Sequence, residues 1–224
     1  LNEIIGKCFF GGIMDQMIEK DGLFYLEGVK TPKKNLVFSE NKKLIERIVE
    51  TSNGKFKAKG FGLFTMYCTY RDLFSQADFD RTDAIKEMLQ DDKMAILMAG
   101  MDASEIYEPL FDEVAFKNEL EALSTEKAIP LHLLRGGDLD ALLPYVKKEL
   151  DIVSPETMTA IVSLHDRLSS PVPLLLLYVN GKFSINDFSI NPFQPDSKES
   201  MRILYTVMVV KEWLALMGDT VRIP

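Results

Sequence analysis

The chain has 224 residues, 46% of them hydrophobic and 27% charged, and carries a formal net charge of −8. That profile belongs to a soluble globular protein long enough to bury a real core, and the scattered Gly and Pro exclude collagen-like or low-complexity segments. The negative charge argues against nucleic acid as the partner of the whole chain, and no run approaches the roughly 18 apolar residues of a membrane span.

The opening LNEIIGKCFFGGIM is apolar but lacks a basic leader and a small-residue cleavage site. Ile4, Ile5, Cys8, Phe9, Ile13 and Met17 fall roughly on one helical stripe, broken at Gly11-Gly12. GLFYLE (22–27) and KNLVF (34–38) read as strands, joined by a VKTPKK loop fixed by Pro32. Ser39 then reads as the N-cap of a helix burying Leu44, Ile45, Ile48 and Val49 and ending at Ser52-Asn53-Gly54. KFKAK (55–59) alternates, which predicts a short strand with Lys55, Lys57 and Lys59 on one face.

GFGLFTMYCTYRDLF predicts a helix with Leu63, Tyr67, Tyr70 and Phe74 in register and Cys68 beside them. DRTDAIKEMLQ predicts another, MAILMAG (94–100) a short buried strand, and ASEIYEPLFDEVAFKNELEAL a helix restarted at Pro109. AIPLHLL (128–134) reads as a strand leading through Gly136-Gly137-Asp138 into a helix that accommodates Pro144 badly. Ser154-Pro155-Glu156 starts the next helix. LLLLYV and KFSIND around Asn180-Gly181 read as a β-hairpin. The last helix, KESMRILYTVMVVKEWLALM, stops at Gly218.

Strands and helices are interspersed without a regular βαβ alternation. The expected fold is therefore α+β: a mixed or mainly antiparallel sheet packed with several helices and closed by a long C-terminal helix. One compact domain over 1–224 is expected, with 1–127 and 128–224 as possible subdomains.

The chemistry-bearing residues are few. Cys8 and Cys68 make neither a disulfide framework nor a zinc pattern, so reduced thiols and a cytoplasmic location are expected. The two histidines, His132 and His165, stand 33 residues apart, and His165-Asp166 has the doublet of a His/His-Asp metallohydrolase. His165 also falls on the apolar stripe of Met158, Ile161 and Val162, which reads as a satisfied core histidine. Cys68 sits among Phe64, Tyr67 and Tyr70, a core setting, with Arg71 as the one nearby cation that could activate a thiolate. There is no GxGxxG, GxxxxGK[ST] or GxSxG, and no cofactor or metal is expected.

Charge is distributed unevenly. Residues 30–71 hold ten bases against three acids, net +7, and residues 72–127 hold five bases against fifteen acids, net −10. Lys33, Lys34, Lys55, Lys57 and Lys59 are the candidate partner-binding residues, facing an acidic protein surface. The competing reading of the 55–59 lysines is edge-strand protection. The function expected from sequence is a non-catalytic protein-interaction module of adaptor, chaperone or inhibitor type. The metal-dependent hydrolase and a small-ligand sensory domain are the alternatives.

Overall fold

The structure, a computed structural model, describes residues 17–53, 55–56, 60–92, 113–135, 137–168, 170–186 and 198–218. The predicted N-terminal stripe before Met17, the 94–100 strand, the start of the Pro109 helix and Lys57 and Lys59 lie outside them.

Three strands, β1 (Met17–Lys20), β2 (Leu23–Lys30) and β3 (Leu36–Ser39), form an antiparallel meander in the order β1-β2-β3. Lys20 pairs with Leu23 across a two-residue turn at Asp21-Gly22, with φ of 53° and 77°. Positive φ at both central residues is what a tight hairpin with the right twist requires, and Asp-Gly supplies it. Met17, assigned above to a helical stripe, therefore belongs to a strand, where Leu26 pairs with it.

Among the described residues nine α-helices follow: α1 (Lys42–Ser52), α2 (Leu63–Thr69), α3 (Thr82–Gln90), α4 (Glu113–Lys127), α5 (Leu131–Leu134), α6 (Leu139–Asp151), α7 (Pro155–Leu168), α8 (Val172–Val179) and α9 (Lys198–Met217). The fold is α+β with a small antiparallel sheet and a long C-terminal helix, as the pattern predicts. Leu26 and Val37 are buried and pack with Leu44, Ile45, Ile48 and Val49 of α1 in the core. The cap of α1 is Asn41, whose side chain accepts from the Lys43 N–H, and not Ser39. Ser39 is still paired in β3 and its hydroxyl accepts from the Asn41 N–H, one step before the helix. At the other end Asn53 adopts φ 47°, the left-handed cap expected there.

Two predicted strands are helices. Residues 131–134 form α5, entered from Pro130, after Ala128 at φ 53° reverses the chain leaving α4. Residues 172–179 form α8, in which every residue is buried. An all-apolar run has no periodicity to read, and Pro173 fits the first turn of a helix, where its missing N–H is not needed. The α6 helix runs through Pro144, which is exposed, so the Asp140 carbonyl that loses a donor lies on a solvent-facing side.

Asn180-Gly181 is consequently a helix end and not a hairpin. The Gly181 N–H donates to Tyr178 O (3.0 Å) and the Lys182 N–H to Leu177 O (2.9 Å), with Gly181 at φ 71°. This is a Schellman closure, in which a residue just past the helix must be left-handed. Gly181→Val puts a β-branched side chain at that φ and is expected to cost about 1–2 kcal/mol or more. Urea denaturation checks it; an unchanged midpoint would contradict the cap.

Candidate functional site

Sequence reasoning placed function on Lys55, Lys57 and Lys59 together with Lys33 and Lys34 of the basic loop between β2 and β3, and the structure explains why that loop has one shape. After α2 the chain makes a wider π-helical turn, Tyr70–Phe74, closed by the Ser75 N–H on Tyr70 O (2.8 Å). That turn carries Asp72 into the protein beneath the loop, where its side chain is buried. Asp72 accepts from the Thr31 hydroxyl, from the Asn35 side-chain amide (2.8 Å) and from the Lys33 N–H (3.0 Å). A buried carboxylate is tolerated when its lone pairs are filled by such donors. Lys33 and Lys34 are left exposed on a loop tied down from inside, with Lys34 at φ 70°.

Lys55 is exposed as well, in a segment without regular structure, so the predicted 55–59 strand does not begin there. Its neighbour Phe56 stacks edge-on against Phe64, and Phe61 in turn meets Tyr205 of α9 at 6.3 Å between ring centres. Phe56 is thus held against α2 and Phe61 against α9, contacts invisible in the sequence. Asp72→Ala would strand three donors and is expected to lower stability by about 2–4 kcal/mol. Hydrogen exchange at residues 31–35 should accelerate with it; unchanged protection would mean that the loop does not depend on Asp72.

The outward side of α9 is the feature that sequence reasoning missed. Ile203, Val207, Val210 and Leu214 are buried, yet the opposite side is apolar too. Met201 (61% exposed), Leu204 (43%), Tyr205 (49%) and Met208 (67%) follow i, i+3, i+4, i+7 spacing and form one exposed stripe. A helix apolar on every side normally has protein on every side. Around the stripe stand Lys198, exposed, and Arg202, half-buried. Arg167 of α7 lies over the Phe61 ring at 5.3 Å, and the Tyr205 hydroxyl donates to Phe61 O (3.1 Å). The legible signal was the low contrast between the two faces of the 198–217 pattern.

The catalytic candidates stand in different surroundings. His132 is exposed on α5, whereas His165 is buried with Nδ1 3.0 Å from Ser170 O. Asp166 lies on the exposed side of α7; partial burial of its carboxyl lifts it above the ordinary carboxylate range, with Glu87 and Asp91 adding repulsion. Among the described residues no three His, Cys, Asp or Glu side chains converge as a metal would need. Burial pushes the Cys68 thiol up to about 12, so it is protonated at neutral pH and poorly nucleophilic.

Tyr70 is likewise pushed up to about 12, by burial first and then by Glu156. Both groups are neutral when protonated, and folding raises their pKa values from 9.0 and 10.0. The stability they contribute is complete below pH 9 and is lost as pH rises toward about 12. Denaturation midpoints should therefore fall through that alkaline window, and Cys68→Ala should make the fall shallower. An equal slope in that variant would contradict the buried thiol's part in it.

Among the described residues no helix is long and apolar enough to cross a membrane. Comparison with protein-family models, with curated proteins and with solved structures finds no match.

Proposed function

We propose that the chain is a non-catalytic interaction module, an adaptor- or chaperone-like component that holds an acidic protein partner. The observation that carries this reading is the exposed stripe Met201, Leu204, Tyr205 and Met208 on α9. Methionine suits such a surface because an unbranched, polarisable side chain adapts to the shape placed on it. The partner it fits is an amphipathic segment with acidic flanks: apolar side chains cover the stripe, and carboxylates meet Lys198, Arg202 and Arg167 at its edge. Lys55, exposed and six residues before Phe61 in sequence, adds to the basic character of this region. Lys33 and Lys34, on their anchored loop, serve long-range attraction, where exposed charges act mainly on the rate of encounter.

The test is reconstitution from purified components once an acidic partner has been recovered and identified. Met201→Glu with Met208→Glu should leave melting within about 0.5 kcal/mol of wild type, because both side chains already face water. Affinity for the purified partner should fall at least about tenfold, the loss of a typical anchor position. Lys33→Glu with Lys34→Glu should slow association, more at low salt than at high. Undiminished affinity in the methionine variant would overturn the reading. So would a wild-type protein that self-associates in sedimentation while that variant is monomeric, because the stripe would then be an interface between copies.

A further inference from the structure

Arg71, like Arg167, is a stacked arginine with a buried Nε and no ion pair among the described residues, and Arg71 also lines a cleft. Its guanidinium lies over the Phe38 ring at 4.7 Å. Its Nε is buried with no hydrogen-bond partner, and among the described residues its fork meets no carboxylate. Stacking orients a guanidinium through its flat faces and leaves the in-plane N–H donors unspent. The Nε lies inside the protein, so a partner in the cleft would meet the terminal nitrogens of Arg71, beside the satisfied carboxylate of Asp72.

Arg71 lines a cleft of about 330 Å³ between β3, the π-turn and the end of α9. Leu23, Leu44, Leu216 and Met217 supply its apolar walls, and Tyr70 and Asn41 its polar ones. That volume is at the lower end of what small-molecule sites use, and one convergent cation in apolar walls is their usual chemistry. Glu40, which is exposed, stands on the same cleft and repels a second negative charge. We infer that this cleft binds a small monocarboxylate with a compact apolar body: Arg71 grips the carboxylate through its fork, and the apolar walls take the rest. This site is independent of the stripe on α9 and survives the failure of that reading.

Trp213, the single tryptophan of the chain, reports on the cleft because its ring packs 5.6 Å from that of Tyr70. The intact protein is titrated with octanoate and 3-phenylpropionate while Trp213 fluorescence and heat are followed. 3-Phenylpropionamide serves as the neutral control and phenyl phosphate as the dianion. Saturable binding of the carboxylates is expected, with weak binding of the amide and the phosphate. Arg71→Gln should weaken the carboxylates at least about tenfold, and Arg71→Lys should recover only part, since an ammonium has the charge without the fork. Glu40→Gln, at an exposed position that leaves the fold intact, should tighten phenyl phosphate more than the carboxylates. No saturable signal from wild type up to about 10 mM probe, a range that covers millimolar affinity, overturns the inference. So does a folded Arg71→Gln protein of wild-type affinity, or a Glu40→Gln protein that discriminates as wild type does.

Discussion

The rest of the structure depends on closing both ends of α8 inside the protein. Its eight residues are all apolar or aromatic and all buried, so it has no face toward water to satisfy stray backbone groups. At the entry the Val172 N–H donates to the buried carboxylate of Asp92 at 3.0 Å, Pro173 has no N–H, and the N–H groups of Leu174 and Leu175 both reach Pro171 O. At the exit the carbonyls of Leu176, Leu177 and Tyr178 receive the N–H groups of Asn180, Lys182 and Gly181. The negative charge of Asp92 also stands at the positive end of the helix, where it is best tolerated. With the ends closed, α4, α6 and α7 pack around α8, and the long α9 lies along α7.

The arrangement shows why some elements were legible and others not. The helices α1, α2, α3, α7 and α9 each have a polar side or a cap, so periodicity finds them and Gly218, Asn53 and Ser154 mark their ends. The α8 helix has neither, and 172–179 looked like a strand because its partners are other helices rather than water. Asn180-Gly181 and Asp21-Gly22 are the same kind of dipeptide with opposite contexts. One closes a helix and the other joins β1 to β2, and the choice depends on what the flanking run packs against. Asp72 and Asp92 read as ordinary acids in an acidic stretch, because nothing local distinguishes a carboxylate that will receive backbone and side-chain donors from distant residues.

The candidate site divides along the same line. Exposure of Lys33 and Lys34 follows from composition and loop position, so those residues could be named in advance. Their fixed presentation could not, because it comes from Asp72, 39 residues away from Lys33 in sequence. The α9 stripe was present in the sequence as an excess of apolar residues, but the fold decides which side of such a helix is left outside. Trp213 settles that choice locally: it is fully buried, and its ring N–H donates to Glu156 O (3.1 Å) at the start of α7. Asn41 and Arg47 of the α1 region hold the far end, through Leu216 O and Glu212.

Those anchors have a consequence for function. Arg47 and Glu212 pair at 2.5 Å, and this bond, with Trp213 and Tyr205, fixes the rotation of α9 about its own axis. A helix free to roll would turn Met201 and Met208 inward and bury them at the expense of Val207 and Val210. Such a roll would exchange one apolar face for the other with no net gain in burial, and the polar bonds decide which face stays outside. Elsewhere the interior polar groups Asp72, Asp92 and His165 all have partners. Among the described residues the buried donors without an acceptor are arginine Nε atoms, those of Arg71 and Arg167 among them, and each of these two guanidinium groups lies instead over an aromatic ring.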